Sequence, residues 1–459
     1  MYTLERSSHL PVSCEQAFAW HEQPGAFERM IPPWENLQVV QKTGTVHDGD
    51  TLSLKVKFGL FHFLFKVQHQ NYIQNKQFQD VQIKGAFSSW KHTHRFESID
   101  SGKSKITDSI EYELPLSFLS PLANASFIED KLDKLFAYRH RTLNNDLYLH
   151  SLYSQKKLRI LVTGASGFVG HDLVPFLTSG GHTVISLSRN LFAKENPNIA
   201  VWNKETKQFQ NPSVLENLDA VVHLAGENIA SKKWSETRKQ ELLESRVHFT
   251  KSLCNALVKL KNPPKTFISA SGIGIFGNRN DNDILTEESQ LGEGFLAKLA
   301  HEWENASLVM QSADTRVVHL RFGAIVSSAG GILKKLLTPY KLFLGGPIGS
   351  GNQMLPWISM VDVLGIILFS LSNNKVTGAI NAVSPRVVTN EQFSKILAQV
   401  LDRPNSLRIP EMVVELFFGE MGKEMLLSGQ HAKPNKITQL GFEFLQPHLH
   451  DAMTYYLGY

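Results

Sequence analysis

The chain has 459 residues and a formal net charge of +4 at pH 7. This length exceeds what one hydrophobic core usually organises, so we expect two or three domains, each able to fold without disulfides or metals. The lysines are spread along the chain and form no basic block that could follow a polyanion, which argues against nucleic acid as a partner.

Cysteine usage and the N-terminal segment bear on the compartment. Cys14 and Cys254 lie far apart, and neither has the spacing of a zinc or redox motif. A reducing compartment fits this pattern. The segment Met1–Pro11 lacks the apolar core of a signal peptide, and no apolar run reaches membrane-spanning length. The sequence therefore predicts a cytoplasmic protein with no membrane partner.

Residues 1–150 have the pattern of an α+β domain. Alternating apolar and polar residues, as in Thr51–Phe58 and Phe61–Val67, are typical of half-buried antiparallel strands. Apolar residues recur at three-to-four spacing over Leu122–Leu149, which predicts one long helix. The aromatic side chains either line an apolar cavity or fill the core, and both alternatives stay open for Phe58, Phe61, Phe63, Phe65, Phe87, Trp90 and Phe96.

Two histidines of this region, His92 and His94, would lie on one face of a strand, because side chains alternate along a strand. Paired histidines can ligate a metal, but the sequence shows no third ligand in register. We interpret them as an exposed pair and assign no metal to the protein.

The pattern changes after the polar stretch Ser151–Lys157, where we place a domain boundary. Strands are predicted at Leu158–Val162, Thr183–Leu187 and Ala220–Leu224, with a helix at Val169–Thr178. This alternation predicts an α/β Rossmann domain with a doubly wound parallel sheet over residues 158–384. Residues 385–459, with a helix predicted at 390–401, would form a small C-terminal lobe.

A glycine-rich turn separates the first of these strands from its helix. Gly164 permits a tight turn, Gly167 lets the backbone approach a pyrophosphate, and Gly170 lets the helix pack closely on the strand. The pattern predicts a dinucleotide site more strongly than a plain structural turn, although its spacing differs from GxGxxG. The residues expected to bind the cofactor here are Gly164, Ala165, Ser166, Gly167, Phe168, Val169 and Gly170.

The end of the second predicted strand indicates which dinucleotide is bound. An NAD enzyme usually has a carboxylate about 20 residues after the glycines, where it holds the ribose hydroxyls. This chain has Ser188 and Arg189 at that place. A guanidinium can pair with a 2′-phosphate through two hydrogen bonds, and no acid is present to repel it. The predicted cofactor is therefore NADP(H).

Further motifs make residues 158–459 resemble the extended short-chain dehydrogenase/reductase superfamily, and within it the YfcH-like sugar-epimerase-like family. These motifs are Val162–Gly170, Leu224–Ile229, Glu244–Arg246, Leu344–Gly351 and Pro356–Ile358. The resemblance implies that Ser188 and Arg189 meet the adenosine 2′-phosphate. It also implies nucleotide contacts from Leu224, Ala225, Gly226, Glu241, Arg246 and Ile325.

The proton-transfer residues of this superfamily are only partly present. Its members use a tyrosine, a lysine four residues later, and a nearby serine or threonine. Ser269 and Ser271 end a predicted buried strand and are our candidate catalytic residues. No tyrosine occurs between Tyr153 and Tyr340, so the usual tyrosine–lysine pair is missing.

The order of elements in residues 1–150 resembles the helix-grip fold of the START/polyketide-cyclase (SRPBCC) superfamily. An early strand, a short helix near Cys14–Trp20 and Trp34 on a loop precede the strands and the long helix. The resemblance implies a sheet bent around that helix and an apolar ligand between them.

Two functions stay open from the sequence. The first is an NADP(H)-dependent oxidoreductase or epimerase that acts on an unknown small-molecule substrate and carries a ligand-binding module. The second is a non-catalytic NADP(H)-binding redox sensor or ligand carrier, which the missing tyrosine motivates.

Overall fold

The computed structural model of the chain describes residues 1–35, 37–58, 61–114, 125–279 and 282–459. The chain forms two compact units. The first contains Met1–Gln155, Pro175–Gly181 and Gly458, and the second contains Lys156–Val174, His182–Leu457 and Tyr459. No helix in the described ranges is both long and apolar enough to cross a lipid bilayer.

A seven-stranded antiparallel sheet forms most of the first unit. Strands β2 to β7 pair in chain order, and β1 is the edge strand next to β7. The strands are β1 (Tyr2–Leu10), β2 (Leu37–Lys42), β3 (Thr51–Phe58), β4 (Phe61–Ile73), β5 (Gln77–Lys84), β6 (Ser89–Asp100) and β7 (Lys103–Glu113).

In the part of the first unit that the structure describes, three α-helices accompany this sheet: α1 (Cys14–His21), α2 (Ala26–Arg29) and α3 (Ala125–Tyr153). A capping box starts α1, because the Ser13 side chain accepts the Gln16 N–H while the Gln16 side chain accepts the Ser13 N–H. Helix α3 is the predicted long helix, although residues 122–124 lie outside the described ranges. An antiparallel sheet with one long helix confirms the predicted α+β helix-grip fold.

The aromatic residues of the first unit divide between the core and its margin. Phe96 is buried and packs edge-on against Phe18, with ring centroids 5.2 Å apart. Phe65, Phe87 and Trp90 are half-buried at the edges of two smaller clusters. Phe63 is exposed, and the side chains of Phe58 and Phe61 lie outside the described part.

The prediction that His92 and His94 form an exposed pair without a third ligand is wrong. His92 is buried, and only 13% of the His94 side chain is exposed. Strand pairing places Asp80 opposite His92 and Asp108 opposite His94. The two histidines therefore lie among carboxylates that come from neighbouring strands, which a search along their own strand could not find.

An eight-stranded sheet forms the centre of the second unit. Its order is β11-β10-β9-β8-β12-β13-β15-β19, and all neighbours pair in parallel except β10 and β11. These strands are β8 (Arg159–Thr163), β9 (Thr183–Ser188), β10 (Ile199–Asn203), β11 (Gln208–Phe209), β12 (Ala220–His223), β13 (Thr266–Gly272), β15 (Arg316–Phe322) and β19 (Gly378–Ala382). The parallel part runs outward in both directions from β8, as in a doubly wound Rossmann sheet, which confirms the predicted fold class.

Short strand pairs and most of the remaining helices of the described residues complete the second unit, whereas the last part of α4, from Pro175, groups with the first unit. The remaining strands are β14 (Ile284–Leu285), β16 (Ala324–Val326), β17 (Met354–Leu355), β18 (Trp357–Ser359), β20 (Val388–Thr389) and β21 (His431–Ala432). The α-helices of the described residues are α4 (Phe168–Ser179), α5 (Glu236–Leu243), α6 (Phe249–Leu257), α7 (Phe295–Ser307), α8 (Gly331–Lys341), α9 (Met360–Ser372), α10 (Asn390–Leu401), α11 (Glu411–Gly422), α12 (Asn435–Gln439) and α13 (Leu449–Leu457). Residues 385–457 group with the second unit, and a separate C-terminal lobe stays a prediction.

One strand of the parallel sheet was missed from the sequence. Ala220–Leu224 was expected to be the third strand, but β10 pairs with β9 and is third in chain order. The Ile199–Asn203 segment lies within a stretch that otherwise reads as polar loop, so its short apolar run carried little signal. Its burial is a consequence of tertiary packing against the sheet.

Helix α10 begins at a capping box whose loss we expect to be measurable. The Thr389 hydroxyl accepts the Gln392 N–H at 3.1 Å, and the Gln392 side chain accepts the Thr389 N–H at 2.9 Å. We expect Thr389→Ala to lower the free energy of unfolding by about 1 kcal/mol in urea titrations. The control is Thr206→Ala in an exposed turn, where a change within about 0.5 kcal/mol is expected. Equal effects of both substitutions would contradict the capping role.

Candidate functional site

The glycine turn connects β8 to α4 at the centre of the parallel sheet. Gly164 has φ +70°, and a Cβ there would lie 2.9 Å from the Leu224 carbonyl oxygen. A Cβ at Gly170 would lie 2.2 Å from the Gly164 oxygen, and one at Gly167 would lie 3.1 Å from the same oxygen. The turn closes through a hydrogen bond from Gly167 N to Gly164 O at 2.9 Å. Larger residues therefore fit at none of the three positions without movement of the backbone.

The position of this turn suits an anion. In doubly wound sheets, ligands bind outside the carboxyl ends of the strands where the strand order reverses, and β8 lies between β9 and β12 at that point. Helix α4 begins at Phe168 and directs the unpaired N–H groups of its first turn toward this edge. The turn therefore supplies space and hydrogen-bond donors together.

The end of β12 lies against the turn and brings in a second group of expected residues. A Cβ at Gly164 would collide with backbone atoms of Leu224 and Ala225, so both residues lie directly beside the turn. A Cβ at Gly226 would lie 3.3 Å from Arg246 Cζ. The structure thus brings Leu224, Ala225, Gly226 and Arg246 together beside the glycines.

Arg246 belongs to a π-helical turn, Glu244–His248, between α5 and α6. Its guanidinium is buried, donates to the Glu227 carbonyl oxygen at 2.8 Å and lies 5.1 Å from the centre of the Trp303 ring. Burial, followed by repulsion from Arg238, lowers the pKa of Arg246 to about 10. Single π-turns within α-helices are frequent at functional sites because they redirect side chains.

The remaining expected residues occupy the margin of this group. Glu241 is half-exposed and accepts a hydrogen bond from Arg238 at 2.6 Å. Ile325 lies in β16, and its carbonyl oxygen would be 2.9 Å from a Cβ at Gly331. The Phe168 ring lies against the same Gly331. Ile325 is therefore near the start of α4, whereas Glu241 reaches the group only through Arg238.

Ser188 and Arg189 follow β9, the strand next to β8. The Ser188 hydroxyl accepts the Asn190 N–H at 3.1 Å, which holds the turn after the strand. The Arg189 side chain is exposed. Because β9 and β8 are parallel neighbours, their carboxyl ends lie at the same edge of the sheet, and Arg189 is on the side of the glycine turn that the sequence predicted.

A buried series of side-chain hydrogen bonds beneath the turn was not predicted from the sequence. The Thr163 hydroxyl lies 2.7 Å from His223 Nδ1, and His223 Nε2 lies 2.7 Å from the Thr250 hydroxyl. Burial lowers the pKa of His223 to about 3, so the ring is neutral at pH 7. The Thr163 hydroxyl also accepts the Ala225 N–H at 3.2 Å. These hydrogen bonds fix the ends of β8 and β12 relative to each other. The signal available in the sequence was a histidine at the end of an apolar strand.

The two candidate catalytic serines lie on one face of β13 and are both buried. The Ser269 hydroxyl donates to the neighbouring Ala270 carbonyl at 3.1 Å. The Ser271 hydroxyl donates to Glu304 Oε1 at 2.7 Å. Ser271 is the closer of the two to the carboxyl end of the strand, where the glycine turn also lies.

Glu304 was also missed, and it links Ser271 to two further residues. Arg321 donates to Glu304 through Nε and Nη2, both at 2.9 Å, in a bidentate pair. His319 Nδ1 lies 4.0 Å from Glu304 Oε2. Burial raises the pKa of Glu304, but the hydrogen bonds and charge of Arg321 more than offset it, so the pKa stays below its usual 4.5. Glu304 is therefore a charged acceptor that fixes the Ser271 hydroxyl.

This lowered pKa gives a pH dependence of stability. The folded carboxyl binds a proton less readily than the unfolded one, so its stabilising contribution is complete above pH 4.5 and is lost as the pH falls through the folded pKa. We expect the difference in free energy of unfolding between wild type and Glu304→Gln to be largest above pH 4.5 and to decrease as the pH falls below it, as measured by urea titration. Glu302→Gln, a half-exposed site on the same helix, is the control. A Glu304→Gln difference that is independent of pH would contradict this.

Comparison with known proteins follows the same division of the chain. The model of the NAD dependent epimerase/dehydratase family matches residues 160–382. Epimerase family protein ML0860 of Mycobacterium leprae is 34% identical over 302 residues, which cover 66% of this chain and 96% of that protein. The chain belongs to the NAD dependent epimerase/dehydratase family. The short-chain dehydrogenase/reductase resemblance of the sequence is thereby confirmed.

Solved structures and two further family models are also similar to parts of the chain. The human epimerase family protein SDR39U1 (isoform 2), solved with NADPH, is 34% identical with a TM-score of 0.59 over 64% of this chain and 98% of that one. A nucleoside-diphosphate sugar epimerase from Corynebacterium glutamicum is 29% identical with a TM-score of 0.80 over 99% of this chain and 90% of that one. The model named polyketide cyclase/dehydrase and lipid transport matches residues 10–141, and a domain of unknown function, DUF1731, matches residues 409–455. The predicted fusion is confirmed.

Proposed function

We propose that the second unit binds NADP(H) at the glycine turn and uses it as an oxidoreductase or epimerase on a small-molecule substrate. The observation that carries this proposal is the turn itself, in which Gly164 and Gly170 leave no room for a Cβ at the edge where α4 begins. The residues present fit a dinucleotide, because the pyrophosphate meets N–H donors rather than side chains.

Arg189 supports the choice of NADP(H) over NAD(H). Its guanidinium is exposed at the end of β9, where the ribose of the adenosine lies in enzymes of this fold. Ser188 adds a hydroxyl, and the carboxylate that would repel a 2′-phosphate is absent from this position. The human relative solved with NADPH is consistent with the same preference.

The other proposed cofactor contacts follow from the geometry around the turn. Leu224, Ala225 and Gly226 would line the nucleotide, and Arg246 would hold Gly226 and Glu227 in place from behind. Ile325 would lie beside Phe168, and Glu241 would act through Arg238. Bound nicotinamide supplies or accepts the hydride.

Ser271 is the better candidate for a hydrogen bond to the substrate. It lies nearer than Ser269 to the carboxyl end of β13, and Glu304 fixes the orientation of its hydroxyl. Ser269 donates to a backbone carbonyl within the strand and is completely buried. Both serines stay proposals as catalytic residues, and the proton donor in place of the missing tyrosine would be water, another acid or the substrate.

A non-catalytic NADP(H) sensor is the second candidate, and one observation favours it. The hydroxyls of both serines already donate to acceptors within the protein, and α7 carries no tyrosine. Incubation of the purified chain with NADPH and a panel of carbonyl compounds separates the two functions. Turnover that Ser271→Ala lowers at least tenfold, while Ser307→Ala leaves it unchanged, supports the enzyme. Tight NADPH binding without turnover across the panel supports the sensor.

Ser307→Ala is the matched control for this comparison. The Ser307 hydroxyl is buried and lies 2.7 Å from His319 Nε2, so its loss disturbs the same polar network. It lies at the end of α7 rather than at the carboxyl end of a strand. An equal loss of turnover in both variants would mean that Ser271 acts only on the stability of the network.

We further propose an apolar ligand for the first unit. The match to the polyketide cyclase and lipid-transport model and the half-buried Phe65, Phe87 and Trp90 support it. Native mass spectrometry of the chain as purified should show a bound mass in addition to that of the dinucleotide. Delipidation that removes no mass, together with no uptake of a fluorescent fatty acid, would contradict this part of the proposal.

A further inference from the structure

A group of ionisable side chains lies between the sheet of the first unit and helix α3, outside the proposed nucleotide site. We call it the His–Asp cluster, and its members are His69, Asp80, His92, His94, Asp108 and His140. Two rows build it across the strands: His69–Asp80–His92 over β4, β5 and β6, and His94–Asp108 over β6 and β7. His140 comes from α3.

Asp108 holds one nitrogen of each central ring. Its Oδ1 lies 2.9 Å from His92 Nε2 and 2.6 Å from His94 Nδ1. Its Oδ2 lies 2.6 Å from His140 Nε2. Asp108 and His92 are almost fully buried, so these contacts are little screened by water. Asp108 therefore sets the orientation of both the His92 and the His94 rings.

The other nitrogen of each ring points to the second carboxylate. Asp80 Oδ2 lies 3.3 Å from His94 Nε2 and 3.7 Å from His92 Nδ1. One ligand atom from each of Asp80, His92 and His94 lies within 4.8 Å of the other two. Asp80 Oδ1 lies 2.6 Å from His69 Nδ1, which holds the carboxylate from its other side.

The three ligand atoms lie close enough together to share one cation. Asp80 Oδ2 lies within 3.7 Å of one nitrogen of each ring, and the centroids of the two rings are 3.9 Å apart. Imidazole nitrogen and carboxylate oxygen are ligands that divalent transition-metal ions accept together. A divalent cation among these atoms would contact all three residues.

We propose that Asp80, His92 and His94 bind one divalent transition-metal ion, with Asp108 orienting both histidine rings from behind. Metal-ligating histidines characteristically place their second ring nitrogen beside a carboxylate, and Asp108 Oδ1 lies 2.9 Å from His92 Nε2 and 2.6 Å from His94 Nδ1. Zinc binds histidine nitrogen and carboxylate oxygen at about 2.0–2.2 Å, which separates tetrahedral ligand atoms by roughly 3.3–3.5 Å. The 3.3 Å and 3.7 Å separations from Asp80 Oδ2 are close to this spacing.

Three protein ligands leave a position open for water or for an oxygen or nitrogen atom of a ligand. The Asp80 and His94 side chains are 21% and 13% exposed and that of His92 only 4%, so Asp80 and His94 are the more accessible to solvent. His21 lies near this group, with its ring centroid 6.2 Å from that of His94. Its Nε2 is buried and has no hydrogen-bond partner among the described residues. The donor set of two histidines and one carboxylate, at this spacing, suits zinc.

The test is titration of the full chain with Zn²⁺ by calorimetry, after treatment with a chelator and dialysis. We expect one Zn²⁺ per chain. Asp108→Asn should weaken binding about 10- to 100-fold, because it replaces the charged acceptor beside both rings by a neutral amide. Asp80→Asn and His92→Gln should abolish the tight site, and His62→Gln, an exposed histidine on β4, should leave it unchanged.

A second measurement protects the test against variants that fail to fold. Visible absorption of the wild-type chain loaded with Co²⁺ should show the bands of a tetrahedral or five-coordinate site, and excess Zn²⁺ should remove them. Circular dichroism establishes the folding of each variant. Absence of tight Zn²⁺ binding by the wild type, an octahedral Co²⁺ spectrum, or an affinity that folded Asp80→Asn retains would each overturn the proposal.

Discussion

Replacing Arg189 by aspartate should raise the Kd for NADPH by about 100-fold or more and leave the Kd for NADH nearly unchanged. A hydrogen bond to a charged group contributes about 1.5–3 kcal/mol, and each 1.4 kcal/mol is a factor of ten in affinity. The new carboxylate adds repulsion of the 2′-phosphate, a group that NADH lacks. Because Arg189 is exposed, the substitution should have little effect on stability. Fluorescence titration with both nucleotides measures the effect.

Lys375→Asp is the matched control for Arg189→Asp. It makes the same change of charge at an exposed residue. Lys375 lies in the segment before β19, at the amino ends of the parallel strands and thus at the edge opposite to the glycine turn. The affinity of the Lys375→Asp variant for NADPH should equal that of the wild-type chain. Equal losses in both variants, or equal losses for NADPH and NADH in Arg189→Asp, would show that the effect is not a contact with the 2′-phosphate.

Gly170→Ala should strongly weaken the binding of NADPH. Within a helix, alanine is normally more favourable than glycine by about 1 kcal/mol, so propensity alone predicts a more stable protein. Here the new Cβ would lie 2.2 Å from the Gly164 oxygen and 2.8 Å from Ala165 Cα, both of them backbone atoms. The turn must open to accept it, and the N–H groups at the start of α4 then move away from the pyrophosphate. We expect a loss of affinity of at least about 100-fold and a decrease of about 1–3 kcal/mol in the free energy of unfolding.

Gly102→Ala provides the comparison for this clash. Gly102 lies in a hairpin of the first unit, and the nearest atom to a Cβ there would be Asp100 Oδ1 at 3.8 Å. This variant should retain both NADPH affinity and stability within about 0.5 kcal/mol. Wild-type affinity in Gly170→Ala would mean that the close packing of helix and strand is not required for the site.

The candidate nucleotide site could be proposed from the sequence because its signal is local in the chain. The glycine turn, Ser188 and Arg189 each stand next to the strand that positions them, and the strands β8, β9 and β12 are short apolar runs. Gly226 and Arg246 came from the family resemblance, and the structure places them in contact. The π-turn that presents Arg246 has no sequence pattern of its own.

The residues that the sequence did not reveal depend on pairing between distant segments. Asp80 faces His92, and Asp108 faces His94, only through the register of β5, β6 and β7. Glu304 contacts Arg321 and Ser271 because α7 packs over β13 and β15. Neither Glu304 nor Arg321 belongs to a sequence motif. From sequence alone, a glutamate on an amphipathic helix is predicted to be exposed to solvent, because its buried partner is not visible in the sequence. Strand register and helix packing, rather than local propensity, decide these sites.

The most direct test of NADP(H) binding by the second unit is a calorimetric titration of the wild-type chain with NADPH and with NADH under the same conditions. The geometry of the glycine turn and of Arg189 predicts one NADPH per chain, bound at least about tenfold more tightly than NADH. Equal affinities, or tighter binding of NADH, would contradict the role of Arg189. Absence of binding by either nucleotide would contradict the site itself.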